Sequence, residues 1–235
     1  MKKAMTDKTL ITVLIFIVVA FLLGFIAIKI IDYITSTGDT EGCRLSVLAA
    51  SQISAGGEIP VQINCPRKMI SLYPEYYIID SSKKKYTSEE YAENVKSVIA
   101  EEMKDCWYKM GEGNLIVLDD NAIVGNDKIC FSCSHFEFQE PIPNTIIDMI
   151  QYLQQTKIPG SLSVNEQQTY YDYIESSNSS FIGIADKGFI NTDKSYELLF
   201  LQQNIEGYPY QHVSSYLVLG PSENINQGFC DYTYS

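Results

Sequence analysis

The longest apolar run of the chain lies near its N-terminus, from Leu10 to Ile28. Its 19 residues include no charged, proline or amide side chain, which is typical of a helix that is apolar on every face. At about 1.5 Å of rise per residue, the run covers roughly 28 Å, close to the ~30 Å hydrocarbon core of a bilayer. With Lys29 and Tyr33, which suit the headgroup layer, the pattern predicts a transmembrane helix over residues 10–34.

Charges on the two sides of this run predict its orientation. Lys2, Lys3 and Lys8 lie in the N-terminal flank, residues 1–9, and basic flanks stay in the cytoplasm. The apolar run is longer than the ~7–15 residues of a cleaved secretory signal. The sequence therefore predicts an uncleaved signal anchor, followed by a flexible tether over 35–42 and an extracellular domain over 43–235.

Alternating apolar residues after the tether predict a disulfide. Apolar side chains occupy every second position over 45–49 and again over 59–63, with Ser54-Ala55-Gly56-Gly57 between them, which predicts two strands joined by a turn. Antiparallel pairing across this turn sets Cys43 opposite Cys65. Cross-strand Cβ atoms lie about 4.5–5.5 Å apart, near the separation that a disulfide needs. We therefore predict a Cys43–Cys65 disulfide.

The clearest amphipathic pattern begins near Thr87. Thr87 and Glu90 have the spacing of a capping box, and Gly111 or Gly113 suits the C-terminal cap. Between them, apolar residues recur at steps of three to five and form one stripe, at Tyr91, Val95, Val98, Met103, Cys106 and Met110. The pattern predicts a central helix whose Cys106 points into the core.

The remaining segments predict an antiparallel sheet with further helices. Residues 73–80 and 128–138 read as strands, the second with a β-bulge near Ser134-His135 where the apolar alternation shifts by one. Residues 81–86 read as a basic loop, and Asn144 as the cap of a helix over 145–156. A helix is favoured within 161–175, and a β-meander follows at 181–185, 196–202 and 213–219, its first turn being a hairpin at 186–188.

These elements together predict an α+β fold. It comprises an N-terminal transmembrane helix and an extracellular domain with a mainly antiparallel sheet, two or three packed helices and stabilising disulfides. The net charge of −12 disfavours nucleic acid as a partner. The expected partners are the lipid bilayer and other cell-surface proteins or copies of the chain.

All six cysteines follow the apolar run, which argues for disulfides in an oxidising compartment. Beyond Cys43–Cys65, the pairing of Cys106, Cys130, Cys133 and Cys230 stays open. The simplest arrangement joins two of Cys106, Cys130 and Cys133 and leaves the third for Cys230. Asn178, in the sequon Asn178-Ser179-Ser180, is a candidate glycosylation site.

Cys130, Cys133 and His135 lie closer together than any other reactive side chains. Their spacing permits a zinc site, with Cys106 or Cys230 as a fourth ligand, or a thiol–disulfide centre at Cys130 and Cys133. The predicted strand lacks the helix N-terminus that normally lowers the thiol pKa of such a centre. Structural disulfides are the interpretation that this context favours.

Other chemistry has little support in the sequence. The chain has two histidines, His135 and His212, and no hydrolase, zinc-helix or phosphate-loop motif. Four side chains are candidate calcium ligands without EF-hand spacing: Asp119, Asp120, Asn121 and Asp127. We expect no cofactor.

Two segments resemble known groups of proteins. The stretch EEMKDCWYKMGEG from Glu101, with the later CFSCSHFEF, resembles a segment of uncharacterised archaeal membrane-anchored proteins and implies a cell-surface setting. Lys3-Ala4-Met5-Thr6 before the apolar run is similar to the cleavage signal of archaeal type IV pilins, although Asp7 and Lys8 depart from that pattern. The pilin resemblance implies a hydrophobic helix in a filament core and a β-rich head outside.

The sequence therefore favours a single-pass cell-surface protein with a non-catalytic binding or assembly domain. A pilin-like filament subunit is the first alternative. A membrane-tethered thiol–disulfide oxidoreductase using Cys130 and Cys133 is the second.

Overall fold

The computed structural model describes residues 17, 19, 40–52, 63–115, 128–140, 146–159, 168–176, 180–184, 186–205, 212–225, 230 and 232–234. The chain divides into two units, Met1–Glu41 and Gly42–Ser235. Apart from Ile17 and Val19, which are helical and exposed, the predicted span over 10–34 lies outside the described residues. Among the residues that are described, no helix is long and apolar enough to cross a membrane.

The described residues form five α-helices and ten strands. The helices are α1 (40–52), α2 (Tyr91–Lys109), α3 (Met149–Gln155), α4 (Tyr170–Ile174) and α5 (Ser222–Ile225). The strands are β1 (Lys68–Leu72), β2 (Tyr76–Ile79), β3 (Ser82–Lys85), β4 (Lys128–Phe138), β5 (Ile146–Asp148), β6 (Ser180–Ile184), β7 (Phe189–Asn191), β8 (Tyr196–Ile205), β9 (His212–Pro221) and β10 (Tyr232–Tyr234). This is the predicted α+β class.

Eight of the strands form one mixed sheet, in the order β3-β2-β1-β4-β8-β9-β6 with β10 also paired to β4. Most neighbours are antiparallel, but β1 and β10 run parallel to β4, and β6 runs parallel to β9. The predicted C-terminal meander is therefore wrong in its connections. Strand β7 pairs with β5 in a separate two-stranded sheet, so the turn at Asp186–Gly188 joins two sheets and closes no hairpin.

Strand β4 lies at the centre of the sheet and has the predicted bounds. Its pairing with β8 shifts between Ser132 and Ser134, so the extra residue is Cys133, one position before the predicted bulge. Before the shift, Phe131 faces one side of the sheet; after it, Phe136 faces that same side. The shift of the apolar pattern is the sequence signature of this bulge.

Helix α2 covers one face of the sheet, which we call the inner face. Its Val95, Ile99, Met103 and Trp107 are buried with apolar side chains of β1, β4, β8 and β9. The helix begins at Tyr91, and Glu90 makes no side-chain cap bond, so the predicted capping box is wrong. Asn94 instead bonds both backbone groups of Ser88. The helix ends as predicted, because Gly111 follows Met110 with a φ of 72°.

The strand predicted over 45–49 is wrong, because these residues belong to α1. Cys43, Val47 and Ala50 are buried at helical spacing, whereas Leu45 is 64% exposed. Residues 40–42, predicted as tether, are helical too, and most of the second predicted strand lies outside the described residues. Residues 45, 47 and 49 alternate, but residues 43, 47 and 50 also suit a helix, so this short segment fits both periods.

Three further boundaries differ from the prediction. The basic loop over 81–86 contains strand β3, because Asp80 and Ser81 form a tight two-residue turn that pairs Ile79 with Ser82. The helix expected over 145–156 begins at Met149, after β5, with Asp148 as its N-cap. Within 161–175, the described helix is confined to α4 and is capped by Thr169.

Candidate functional site

Every cysteine of the chain is in a disulfide. The pairs are Cys43–Cys65, Cys106–Cys133 and Cys130–Cys230. The first is the predicted pair, although Cys43 reaches it from helix α1 and not from a hairpin. The other two match the simplest arrangement that the sequence suggested for the remaining four cysteines.

The two cysteines of the C-x-x-C motif point to opposite faces of the sheet. Residues three apart in a strand face opposite sides, so Cys133 reaches Cys106 on the inner face and Cys130 reaches Cys230 on the outer face. The zinc interpretation of Cys130, Cys133 and His135 is therefore wrong, because disulfide sulfurs are not thiolate ligands. Within the described part of the chain, no cluster of His, Cys, Asp or Glu is arranged to hold a metal ion.

The same geometry bears on the redox interpretation. A C-x-x-C centre cycles between a dithiol and a disulfide formed by its own two sulfurs. Here each sulfur is bonded to a cysteine outside the motif. The pair Cys130 and Cys133 therefore lacks the bond on which that chemistry depends.

The bulge in β4 builds two polar clusters, one on each face of the sheet. Ser134 follows Cys133 and bonds Glu102 of α2 on the inner face, whereas Ser132 bonds Glu197 of β8 on the outer face. Of the successive residues Arg67 and Lys68, Lys68 contacts Glu102 on the inner face and Arg67 contacts Glu197 on the outer face. We call Lys68, Glu102, Asp105 and Ser134 the inner cluster. We call Arg67, Ser132, His135, Glu137, Glu197 and Ser222 the outer cluster.

The inner cluster is an enclosed ion pair. The Lys68 ammonium donates to both carboxylate oxygens of Glu102, at 3.0 and 2.9 Å, and lies 3.6 Å from Asp105. Ser134 Oγ donates to Glu102 Oε2 at 3.0 Å. Burial alone would lower the pKa of Lys68, but the charges and hydrogen bonds of Glu102 and Asp105 outweigh it and raise that pKa above its ordinary value.

The outer cluster contains the one histidine whose side chain is described. His135 Nδ1 lies 3.1 Å from Glu197 Oε1, and its Nε2 lies 3.3 Å from Glu137 Oε1. Arg67 forms an ion pair with Glu197, and Ser132 donates to the other Glu197 oxygen at 3.2 Å. Arg67 Nε is buried and has no hydrogen-bond partner among the described residues.

The contact between Ser222 and His135 resembles a nucleophile beside its base. Ser222 Oγ lies 3.4 Å from His135 Nδ1, but this nitrogen also faces the Glu197 carboxylate. A base must offer Ser222 a lone pair, whereas a hydrogen bond to a carboxylate requires a proton on that nitrogen. The closer Glu197 contact therefore favours His135 as a donor, and the cluster is better suited to ion pairing than to acyl transfer.

Several candidates lie outside the described residues. These are Asn178, the calcium candidates at 119–121 and 127, and the side chain of His212. Conversely, the sequence reasoning overlooked Glu102 and Glu197. Both had a signal, because Glu102 lies on the apolar stripe of α2 and Glu197 is a lone acid in the apolar run 196–201.

A second polar surface lies at the edge of the sheet. All four residues of β3 are exposed, and three are lysines, Lys83, Lys84 and Lys85. On the core side, Tyr77 stacks on Tyr86, with ring centroids 5.3 Å apart. Burial raises the pKa of the neighbouring Tyr91 to about 12.

No protein-family model, curated protein or solved structure is significantly similar to this chain. The class of protein is therefore defined by the fold and its sites alone. It is an α+β domain with a mixed sheet, three disulfides and a polar cluster on each face of the sheet.

Proposed function

We propose that this protein is a single-pass membrane protein that displays residues 43–235 outside the cell as a non-catalytic binding or assembly domain. In this proposal, residues 1–9 lie in the cytoplasm and residues 10–34 lie in the lipid bilayer. The partners are other cell-surface proteins or further copies of the chain.

The observation that carries this proposal is the pairing of all six cysteines. Disulfides persist in oxidising compartments and are rare in the cytosol. Every disulfide lies on the C-terminal side of the apolar run that begins at Leu10. An oxidised domain after a span with a basic N-terminal flank is the arrangement of a signal-anchored surface protein.

The polar clusters also support a binding role over a catalytic one. The inner cluster is closed between α2 and the sheet, and its groups bond each other. The outer cluster directs His135 toward two carboxylates and away from the role of a base for Ser222. In both clusters, the reactive groups are hydrogen-bonded or ion-paired with each other.

A pilin-like filament subunit is the second candidate, favoured by one specific observation. Lys3-Ala4-Met5-Thr6 directly precedes the apolar run, as in the archaeal pilins that this N-terminus resembles. Cleavage after Ala4 would free the run to pack against the same run of neighbouring copies. The domain would then be the head of each subunit.

Topology is tested by protease treatment of intact cells that carry the chain with a C-terminal epitope tag. We expect external protease to remove the tag without lysis, since the tag lies outside. A tag that survives until the cells are lysed would overturn the proposal. A cytosolic protein with the same tag, in the same cells, controls for lysis.

Mass spectrometry of the untagged N-terminus separates the two candidates. Retention of Met1 supports the anchored protein and excludes the processed pilin, whereas loss of Met1–Ala4 supports the pilin. Electron microscopy of surface preparations gives an independent result, because filaments are expected of the pilin and dispersed ectodomains of the anchored protein.

A further inference from the structure

Strand β3 ends the large sheet and presents a basic edge. It pairs with β2 on one side, and it is the terminal strand in the described sheet order. All four of its residues, Ser82–Lys85, are exposed. In an antiparallel edge strand, alternate residues direct their N–H and C=O groups away from the sheet, where another strand can pair with them.

The edge is held in place before any partner arrives. Asp80 and Ser81 both have positive φ, 45° and 75°, as in two-residue hairpin loops. The Asp80 carboxylate accepts the Met69 N–H at 2.9 Å, and the Asp80 N–H donates to the Met69 carbonyl at 3.1 Å. A rigid edge loses little conformational entropy when it binds.

Aromatic contacts fix the outer side of the same hairpin. Tyr76 stacks on Tyr73 with ring centroids 4.5 Å apart. Lys83 Nζ lies 3.4 Å from the Tyr76 ring centroid, a cation–π contact that orients this lysine. The hairpin therefore presents at least one of its charges in a defined position.

The charge of this edge is opposite to that of the whole chain. The net charge is −12, yet three lysines are consecutive in β3. Among the described residues, none of the three forms an ion pair. Such an edge attracts acidic groups and repels a second β3, because like charges directly opposite each other destabilise a strand pair.

From these features we infer that the β3 edge is a docking site for an extended acidic segment of another polypeptide. The segment adds to the sheet as its next strand, and the carboxylates on one of its faces lie against Lys83 and Lys85, which share a face of β3. An anionic lipid surface would satisfy the lysines but not the outward backbone groups of the strand. This site goes beyond the proposed function, because it operates whether or not the chain is anchored.

The test uses the full chain in a non-ionic detergent and a short dye-labelled peptide of alternating glutamate and threonine. Fluorescence polarisation should show binding at low salt that weakens as salt screens the charges. A glutamine–threonine peptide tests the charge. A glutamate–threonine peptide with alternate N-methylated backbone nitrogens tests strand pairing. Both should bind at least about tenfold more weakly.

Charge-matched variants locate the site. The double variant K83Q/K85Q should bind the peptide at least about tenfold more weakly, whereas K157Q/K187Q, which removes two other exposed lysines, should change binding less than about twofold. Fluorescence of Trp107 verifies that both variants are folded. Equal binding of the N-methylated peptide, or equal effects of the two variants, would overturn the inference. Binding of phosphatidylglycerol vesicles without binding of the peptide would also overturn it.

Discussion

The inner and outer clusters have almost the same components, and their central glutamates are almost equally buried, Glu102 at 7% and Glu197 at 9% exposed, but the clusters differ in the number of partners around that glutamate. Each has a glutamate, a serine from the β4 bulge and one of two successive basic residues. In the inner cluster, Lys68 is 17% exposed. It forms hydrogen bonds with Glu102 and lies 3.6 Å from Asp105. In the outer cluster, Arg67 is 33% and Glu137 is 47% exposed, and His135 lies between two carboxylates.

This difference suggests that the inner cluster stabilises the fold, whereas the outer cluster tolerates substitution. A buried carboxylate with a single cation depends on that cation, because little solvent is present to take its place. A carboxylate with several partners and nearby solvent can lose one of them at smaller cost. The inner cluster should therefore matter most for stability, whereas the outer face can tolerate change.

The largest effect is expected when the disulfides of the two faces are removed. C130A/C230A opens a loop of 100 residues, and C106A/C133A opens one of 27. Loop entropy predicts losses of about 4.7 and about 3.5 kcal/mol in the free energy of unfolding. Urea denaturation of the full chain, followed by circular dichroism, measures both. A clearly larger loss for C106A/C133A would mean that packing beneath α2 outweighs loop length.

The next largest effect is expected for Glu102→Ala. The substitution leaves the Lys68 ammonium beneath α2 without its main partner, which should cost about 3–5 kcal/mol. Urea denaturation followed by the fluorescence of Trp107, the single tryptophan of the chain, measures the loss. The control K68M/E102L removes both charges and should recover most of that loss. If the control is as unstable as Glu102→Ala, lost packing and not the unpaired charge explains the effect.

Glu197→Ala tests the same change on the outer face. Arg67 and His135 lose a shared acceptor, but His135 retains Glu137 and Arg67 is partly exposed. We expect a loss of about 2 kcal/mol, smaller than for Glu102→Ala. The same denaturation experiment applies. A loss equal to that of Glu102→Ala would mean that the additional partners on the outer face do not lower the cost.

Local patterns in the sequence predicted the centre of this fold well. The bounds of β4, the shift at its bulge and the C-terminal cap of α2 all depend on neighbouring residues, so the alternation of side chains is enough to find them. Helix α1 was missed because its few apolar residues satisfy two periods. The Cys43–Cys65 pair was predicted even so, since two nearby cysteines can meet in more than one local geometry.

Distant pairing was beyond these patterns. The parallel contacts of β1 with β4 and of β6 with β9 join strands far apart in the chain, and no local period encodes them. The inner cluster joins Lys68 to a residue 34 positions away, and the outer cluster joins His135 to one 62 positions away. A buried acid is visible in the sequence, but its partner emerges only when the sheet is assembled.

Alkaline pH should weaken the inner face selectively. The folded-state pKa of Lys68 is raised above 10.5, so its contribution is complete below that pH and is lost as pH rises through the folded pKa. The pKa of Tyr91 is raised from 10.0 to about 12, so its contribution to stability is likewise lost as pH rises between these values. Each group should lower the free energy of unfolding by about 1.4 kcal/mol per pH unit within its window.

Urea denaturation across this pH range separates the two clusters. K68M/E102L should show a shallower alkaline decline than the wild type, because the titrating ammonium is absent. E197A should keep the wild-type slope. The assignment to Lys68 fails if K68M/E102L declines as steeply as the wild type.

The smallest effect is expected when the two serines beside the bulge are each replaced by alanine and the two losses are compared. Ser134→Ala removes a hydrogen bond to Glu102 in an enclosed site, and Ser132→Ala removes one to Glu197. Glu102 Oε2 retains Lys68, but Ser134 is only 1% exposed, so water reaches the space of the lost hydroxyl less easily than at Ser132. Ser132 is the only described donor to Glu197 Oε2, but the neighbouring Arg67 is 33% exposed and gives water a way to this face. We therefore expect Ser134→Ala to cost about 1 kcal/mol more than Ser132→Ala.

This last comparison has a sharp outcome because the side-chain change is identical and the two positions flank one residue, Cys133. Propensity and backbone effects largely cancel, so the difference in urea midpoint reports the local access of water. An equal or greater loss for Ser132→Ala would mean that the outer cluster is as closed as the inner one. In that case the mutual bonds of Arg67, His135 and Glu197 would hold the outer face as rigidly as α2 holds the inner face, and Glu197→Ala should then approach Glu102→Ala in its cost.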